Sequence, residues 1–471
     1  MQIKYLACAL FSALLFCTVS CKKLVSVSEP INSITTSETF DNDANAKSAV
    51  IAIYGKMSYP NGSLTYGNGS ISRICALSAD ELSYFNTSDD FYMEFQDNTI
   101  QAAYLSGTIN GQFWSPIYFS IYQANACIEG LEGSKTVSPS LKANLIGESK
   151  FIRAFCNFYL TNLFGDIPLI SSTSWSDNKS IRRSSSSDVY SKIILDLKEA
   201  KNLLPLDYSS YGEERIRPTK WTAAAMLARA YLFIGDYSNA EAEADSVISN
   251  SSLFSLNSSL ADVFLANSSE SIWQLQILDQ YPYATMDGNQ FIPADTTSSP
   301  YYYLTDQLIN DFEQGDKRRI NWVDSTHFSD VYYYYPYKYK VSQGVSGSIS
   351  EYYMVLRLAE QFLIRAEARA SKFQPDMPGA IEDLNVIRER AGLLDFSGSV
   401  DKNAILKAIL HERRIELFSE WGHRWLDLKR TGNADTILDA MKPQWKPSQK
   451  LYPIPITELQ TNSLLTQNEG Y

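Results

Sequence analysis

The chain has 471 residues, of which 45% are hydrophobic and 20% charged, a globular balance with ample material for a buried core. A formal charge of −12 opposes any function built on neutralising phosphates, which sets nucleic-acid binding aside. Three His and six Cys leave few residues for metal or nucleophile chemistry, whereas 30 tyrosines raise the aromatic share to 13%.

Residues 1–20 read as an export signal. Lys4 precedes an apolar run from Tyr5 to Phe16 that is too short to span a bilayer, and Thr18-Val19-Ser20 lead directly to Cys21. Small residues before a cysteine make the pattern of a bacterial lipobox, in which Cys21 becomes the acylated first residue of the mature chain. Thr18 departs from it, standing where such sites usually carry Leu. Residues 21–38, rich in Ser, Thr, Pro and Lys, read as the lipidated N-terminus and its tether, leaving 39–471 as one domain. No later segment approaches the ~18 consecutive apolar residues of a membrane-spanning helix. With Cys21 acylated, Cys75, Cys127 and Cys156 allow at most one disulfide; Cys127 and Cys156 sit in apolar helical patterns and read as small buried hydrophobes.

Asp43 opens a helix to Met57 carried by Ala46, Ala49, Val50, Ile53 and Tyr54. From about 60 to 111 the periodicity breaks, except near Ala76–Leu82, among Gly, Asn, Ser and scattered aromatics. Helical spacing resumes at Phe113 and again from Leu141 to Leu163, where Gly165-Asp166-Ile167-Pro168 stops it. Asp188 caps a further helix that runs to Leu204. The clearest repeat follows: Trp221, Ala224, Ala228 and Tyr231, a turn at Gly235-Asp236-Tyr237, then Ala240, Ala244 and Val247. Small residues let two helices approach closely and glycine makes the turn, which is the requirement of a tetratricopeptide-type pair. A weaker copy starts near Val355, and 141–204 fits a third whose turn is expanded into the 165–187 loop. The fold class expected is therefore all-α, helix pairs forming a scaffold with long aromatic-rich insertions.

The second insertion, about 255–350, holds most of the surplus tyrosine. Its aromatic surface is too large for a disordered segment, so it reads as a folded excursion that presents a surface. Flat rings with a few polar groups make carbohydrate or peptide platforms. The candidates are Tyr84 and Phe85 with Asp80 and Asp89 in the first irregular stretch, and Tyr283, Tyr301, Trp322 and Tyr332 in the second. The run Tyr332–Tyr335 cannot lie on one buried face of a strand, because alternate side chains point oppositely. Motifs of metalloproteases, serine hydrolases, phosphate loops and dinucleotide sites are absent. A glycosidase, whose two carboxylates need no motif, stays open at this point, as does a pure interaction scaffold.

The C-terminal region carries His411-Glu412-Arg413-Arg414-Ile415-Glu416-Leu417, then Trp421-Gly422-His423-Arg424-Trp425-Leu426-Asp427-Leu428-Lys429-Arg430, and finally Leu451-Tyr452-Pro453-Ile454-Pro455. With Phe151-x-Arg153-Ala154, Gly165-Asp166-Ile167-Pro168 and Gly315-Asp316-Lys317-Arg318-Arg319 in order along the chain, these resemble the SusD/RagB family of nutrient-binding outer-membrane lipoproteins of Bacteroidetes. Arg413, Arg414, Glu416, Arg424 and Asp427 fall at helical spacings that suit ion pairs, with Trp421 and Trp425 as packed anchors, a structural reading. The resemblance implies four tetratricopeptide-like pairs and a separate ligand face, binding without catalysis, and no cofactor or metal. It further implies capture of oligosaccharide or, in some members, peptide, and a SusC-type TonB-dependent outer-membrane transporter over which the lipoprotein acts as a lid. Its expected place is the outer membrane, lipid-anchored and surface-exposed. Lys22-Lys23 depart from the acidic residues that often follow the lipidated cysteine in surface-exported members.

Overall fold

In the computed structural model, described over residues 36–58 and 65–471, helices dominate and each long one packs on the next. The signal segment, Cys21 and nearly all of the tether lie outside the described residues. Helix α1 (Asp43–Ser58) packs on α5 (Ser115–Gly133) and on α6 (Pro139–Phe164). Between α1 and α5 come α2 (Ser70–Ser78), β1 (Leu82–Tyr84), α3 (Asp90–Asp97) and α4 (Ala102–Ile109). The stretch expected to be irregular thus holds three short helices. Caps in left-handed backbone, Gly69 at φ 99° and Asn98 at φ 52°, bound α2 and α3 and break any long periodicity. A π-helical turn, Asn110–Trp114, joins α4 to α5.

The array continues with α7 (Ser186–Leu203), α8 (Lys220–Phe233) and α9 (Tyr237–Ile248). After the second insertion come α10 (Leu358–Ser371), α11 (Met377–Arg390), α12 (Lys402–Leu417) and α13 (His423–Arg430). The pairs α1/α5, α6/α7, α8/α9 and α10/α11 make the tetratricopeptide-like scaffold. Ala224, Ala228, Ala240 and Ala244 are all completely buried, as the close approach of α8 and α9 requires. Gly235 at φ 76° makes their turn, and Asp236 caps α9 by accepting from Asn239 N. Arg229 of α8 reaches α10 with a bidentate, buried pair to Glu360 at 2.7 and 2.6 Å.

The second insertion leaves the scaffold through β2 (Ser271–Leu275). It then forms β3 (Tyr302–Leu304) and a hairpin of β4 (Val323–Phe328) and β5 (Val331–Pro336), returning through β6 (Tyr353–Arg357). β2 and β6 pair antiparallel and are buried throughout, so both ends of the excursion are pinned in the core. Trp273 of β2 packs edge-on against Phe151 and Phe155 of α6 at 5.0 and 5.2 Å. Cys75, Cys127 and Cys156 are free and buried, and burial pushes each thiol up to about 12.

Most of the C-terminal ion pairs form across elements, while Asp427 and Arg430 pair at 2.7 Å along one face of α13. Arg413 meets Asp427 of α13 at 2.8 Å, Arg424 holds Asp80 at 2.7 Å, and Glu416 accepts from Arg357 at 2.5 Å and Arg318 at 3.0 Å. Helical spacing mattered less than burial, because each of these charges is shut inside the fold and takes whichever partner the packing brings. Trp421 and Trp425 are buried, the first donating to Met354 O at 2.8 Å, the second stacked on Tyr452 at 6.4 Å.

Candidate functional site

The two insertions meet at a short antiparallel ladder. β1 pairs with β3 in the register Leu82↔Leu304, Ser83↔Tyr303, Tyr84↔Tyr302, and Phe85 N extends it by donating to Tyr301 O at 2.9 Å. Alternation along the ladder sorts the rings. Tyr302 is buried against Tyr84, Tyr92 and Phe291, whereas Tyr301 is 60% exposed.

The β4–β5 hairpin lies against this ladder. Phe85 is edge-on to Phe328 at 5.7 Å and to Tyr333 at 5.3 Å, and Tyr303 meets Tyr333 at 5.1 Å. Two hydrogen bonds tie β4 to the preceding loop: His327 N donates to Thr296 O at 2.9 Å and the Thr326 hydroxyl to Ser298 O at 2.7 Å. In the tyrosine run burial deepens along β5, from its exposed start at the turn to its buried end, rather than alternating. Tyr332 is 64% exposed with its ring 4.5 Å from His327, Tyr333 and Tyr334 are half-buried, and Tyr335 is buried. The product is an open aromatic face rather than a closed cavity.

Of the residues singled out in the sequence, Tyr84, Phe85, Asp89 and Tyr301 come together here, whereas Tyr332 pairs with His327 on the side of the hairpin opposite to Phe328 and Tyr333. Asp89 caps α3 by accepting from Phe91 N at 3.2 Å. Its carboxylate also accepts from the Tyr84 hydroxyl, whose pKa is pushed up to about 12 by burial first and by that neighbour second.

Three others are placed differently. Trp322 is completely buried, its indole donates to Leu260 O at 2.8 Å, and the Lys338 ammonium lies 4.9 Å over its ring. It offers no face to a ligand. Asp80 is buried between Arg424 and Arg414; burial opposes its ionisation, yet these two guanidiniums outweigh burial and hold the carboxyl below the usual range. It anchors α13 and α12 to the end of α2. Tyr283, half-buried at φ 57°, takes part in none of these ring contacts; its carbonyl is packed against Gly344, where a Cβ would stand 2.3 Å from it.

Phe328, Tyr303 and Tyr333 join the face without having been singled out. The alternation of β4 would have pointed to Phe328 on this side, and to His327 beside Tyr332 on the other, had the hairpin been recognised. At the far end of the ladder a polar cleft of about 390 Å³ opens between Asp80, Ser83, Gln96, Thr305 and Lys442. Lys442 donates to Leu77 O and Ser78 O at 2.8 Å each, and burial lowers its pKa to about 7. Chemically, the arrangement can stack a flat ligand on ring faces and fix it with hydroxyls, an imidazole and carboxylates.

Comparison with known proteins bears on this geometry. Residues 37–232 match a family described as starch-binding and associating with the outer membrane, and residues 323–471 match the SusD family. SusD-like protein P2 of Formosa agariphila is 30% identical over 413 residues, covering 76% of this chain and 80% of that protein. A SusD superfamily protein of Bacteroides vulgatus superposes with a TM-score of 0.78 at 23% identity, covering 92% of this chain and 100% of the other. A laminarin-binding SusD-like protein superposes with a TM-score of 0.74 at 23% identity, again over 92% and 100%.

Proposed function

Because the chain belongs to the SusD/RagB family, we propose that it captures an oligosaccharide or polysaccharide on the aromatic face of the β1/β3 ladder and the β4–β5 hairpin, without cleaving it. The observation that carries this reading is the exposure of Tyr301 beside half-buried Phe85 and Tyr333, with exposed Tyr332 and His327 on the outer side of the same hairpin, on strands fixed to a helical scaffold. Rings held in this way lose little conformational entropy when a sugar stacks on them. A similar fold in a protein that binds laminarin, a glucan, supports a glycan over a peptide.

In this reading the captured glycan passes to a SusC-type TonB-dependent transporter, and the protein closes over it as a lid. Cys21 carries the lipid that holds the chain at the outer membrane, surface-exposed, after residues 1–20 are removed.

Native gels containing a panel of polysaccharides, laminarin among them, test the capture step. One or a few glycans should retard the protein selectively, and Tyr301→Ala and Tyr332→Ala should each weaken that retardation by about tenfold in affinity, near 1.4 kcal/mol. Retardation unchanged in both variants would place the site elsewhere. Release of new reducing ends would point instead to a glycan-degrading enzyme.

A further inference from the structure

A second concave site lies on different elements. The start of α5, the loop following α6 and the C-terminal helix Ile456–Thr461 enclose a pocket of about 420 Å³, within the size range of small-molecule sites. Trp114, Tyr118 and Phe119 supply its aromatic walls, and Ile181 and Leu465 close it. The enclosing segments are pinned to one another: the Tyr118 hydroxyl donates to Pro168 O at 2.8 Å and Asn462 Nδ2 to Ile181 O at 2.9 Å. The C-terminal helix is also tied to α4, Ile456 N donating to Ser106 Oγ at 2.7 Å.

Its lining also carries polar groups, two of them charged. Glu458 and Lys179 place one negative and one positive charge on the lining, with Asn178 beside them. Burial pushes the Glu458 carboxyl up, opposed by a hydrogen bond from the Trp114 indole. The Lys179 ammonium lies 4.7 Å over the ring of Trp175, which is 74% exposed and stands outside the lining. Phe119 is 50% exposed. Balanced charges favour a neutral ligand, the ring walls favour one with flat apolar faces, and the carboxylate and amide favour one with hydroxyls at its edge.

We propose that this pocket is a second carbohydrate site, built for one neutral hexopyranose unit stacked on Phe119 and hydrogen-bonded to Glu458. Beyond Lys179, the ring face of exposed Trp175 that the ammonium leaves open gives a platform for a neighbouring unit of the same chain. The site stands independently of the aromatic face, since it shares no residue with it.

The test is saturation-transfer NMR on the full chain in detergent, with the methyl glycosides of glucose, galactose, mannose and N-acetylglucosamine as probes. At least one should bind. Phe119→Ala and Glu458→Gln should each weaken that binding about tenfold, while the double variant Tyr301→Ala/Tyr332→Ala, which strikes the other face, retains it. Phe119 is half exposed and Glu458→Gln is isosteric, so both variants should keep the parent's thermal transition. Binding by none of the four probes, or binding indifferent to both pocket variants, overturns the proposal. Binding lost only with Tyr301→Ala/Tyr332→Ala would assign the sugar to the aromatic face alone.

Discussion

Trp322 and Tyr332 are close in sequence and opposite in burial, and their substitutions should separate stability from binding. Trp322→Ala empties a fully enclosed site and removes the indole bond to Leu260 O, so it should cost about 3–5 kcal/mol of folding stability. Tyr332→Ala should leave the denaturation midpoint within about 0.5 kcal/mol while weakening glycan retention. A Trp322→Ala protein with parental stability would contradict this assignment. Nothing in the sequence distinguished the two, because a ring that suits a sugar also suits a core, and only the fold decides which way it points. The same holds for Asp80, whose two arginine partners lie more than three hundred positions away. Glu81, next to it, gives a pH-dependent contrast. Burial and the Asp80 charge push its pKa up to about 8, and one carboxylate oxygen lacks a hydrogen-bond partner. A folded pKa above the unfolded value of about 4.3 means that the associated stability is complete below about pH 4 and drains as pH rises towards 8. Glu81→Gln removes that drain. It should raise stability at pH 7.5 by up to about 4 kcal/mol and change little at pH 4.5. Thermal melts of the two proteins that stay parallel across this range would show that Glu81 does not titrate in the fold as described.

Helices and strands differ in how plainly the sequence announces them, and the reason is local. Helix α8, the Gly235 turn and α9 are readable because small residues recur at helical spacing and every one of Ala224, Ala228, Ala240 and Ala244 is buried. The expanded turn between α6 and α7 is legible for the same reason, since Gly165 at φ 75° ends α6 sharply. The hairpin is not. Its two turn residues, Ser329 at φ 50° and Asp330 at φ 63°, both adopt left-handed backbone, yet the pair lacks the Asn-Gly signature that marks such turns. Without the turn there was no register, and without the register Phe328 and His327 could not be placed beside Phe85 and Tyr332. Asp330→Gly should therefore stabilise the hairpin by about 0.5–1 kcal/mol, because glycine takes this backbone without steric cost. Slower amide exchange across Val323–Pro336 is the expected signature, and faster exchange would show that the Asp330 side chain, not its backbone, sets the turn.

At the scale of the whole molecule, the C-terminal Arg/Glu/Trp motif is a clasp on the insertion that carries the aromatic face. Glu416 of α12 accepts from Arg318 in the insertion, from Arg357 at the end of β6 and from Arg390 at the end of α11. Glu420 adds Arg357 again at 2.8 Å together with Lys338, whose ammonium also donates to Glu416 O at 2.9 Å. Lys338 follows β5 directly, so the hairpin is fastened to α12 within two residues of its last strand position. Burial opposes the ionisation of Glu416, but three guanidiniums outweigh it and hold the carboxyl well below the usual range. Depressed folded pKa places its contribution above about pH 4.3 and removes it only on acidification below that point. Glu416→Ala leaves Arg318, Arg357 and Arg390 buried around a missing charge, and the expected cost is about 3–5 kcal/mol at pH 7. The loss should reach both halves of the molecule, since the cluster joins the last helix pair to the insertion. Urea unfolding followed by helical circular dichroism and by tryptophan fluorescence should shift to lower midpoints together. Faster amide exchange across Val323–Pro336 with an unchanged helical midpoint would mean that the insertion melts alone and that the scaffold does not depend on the clasp.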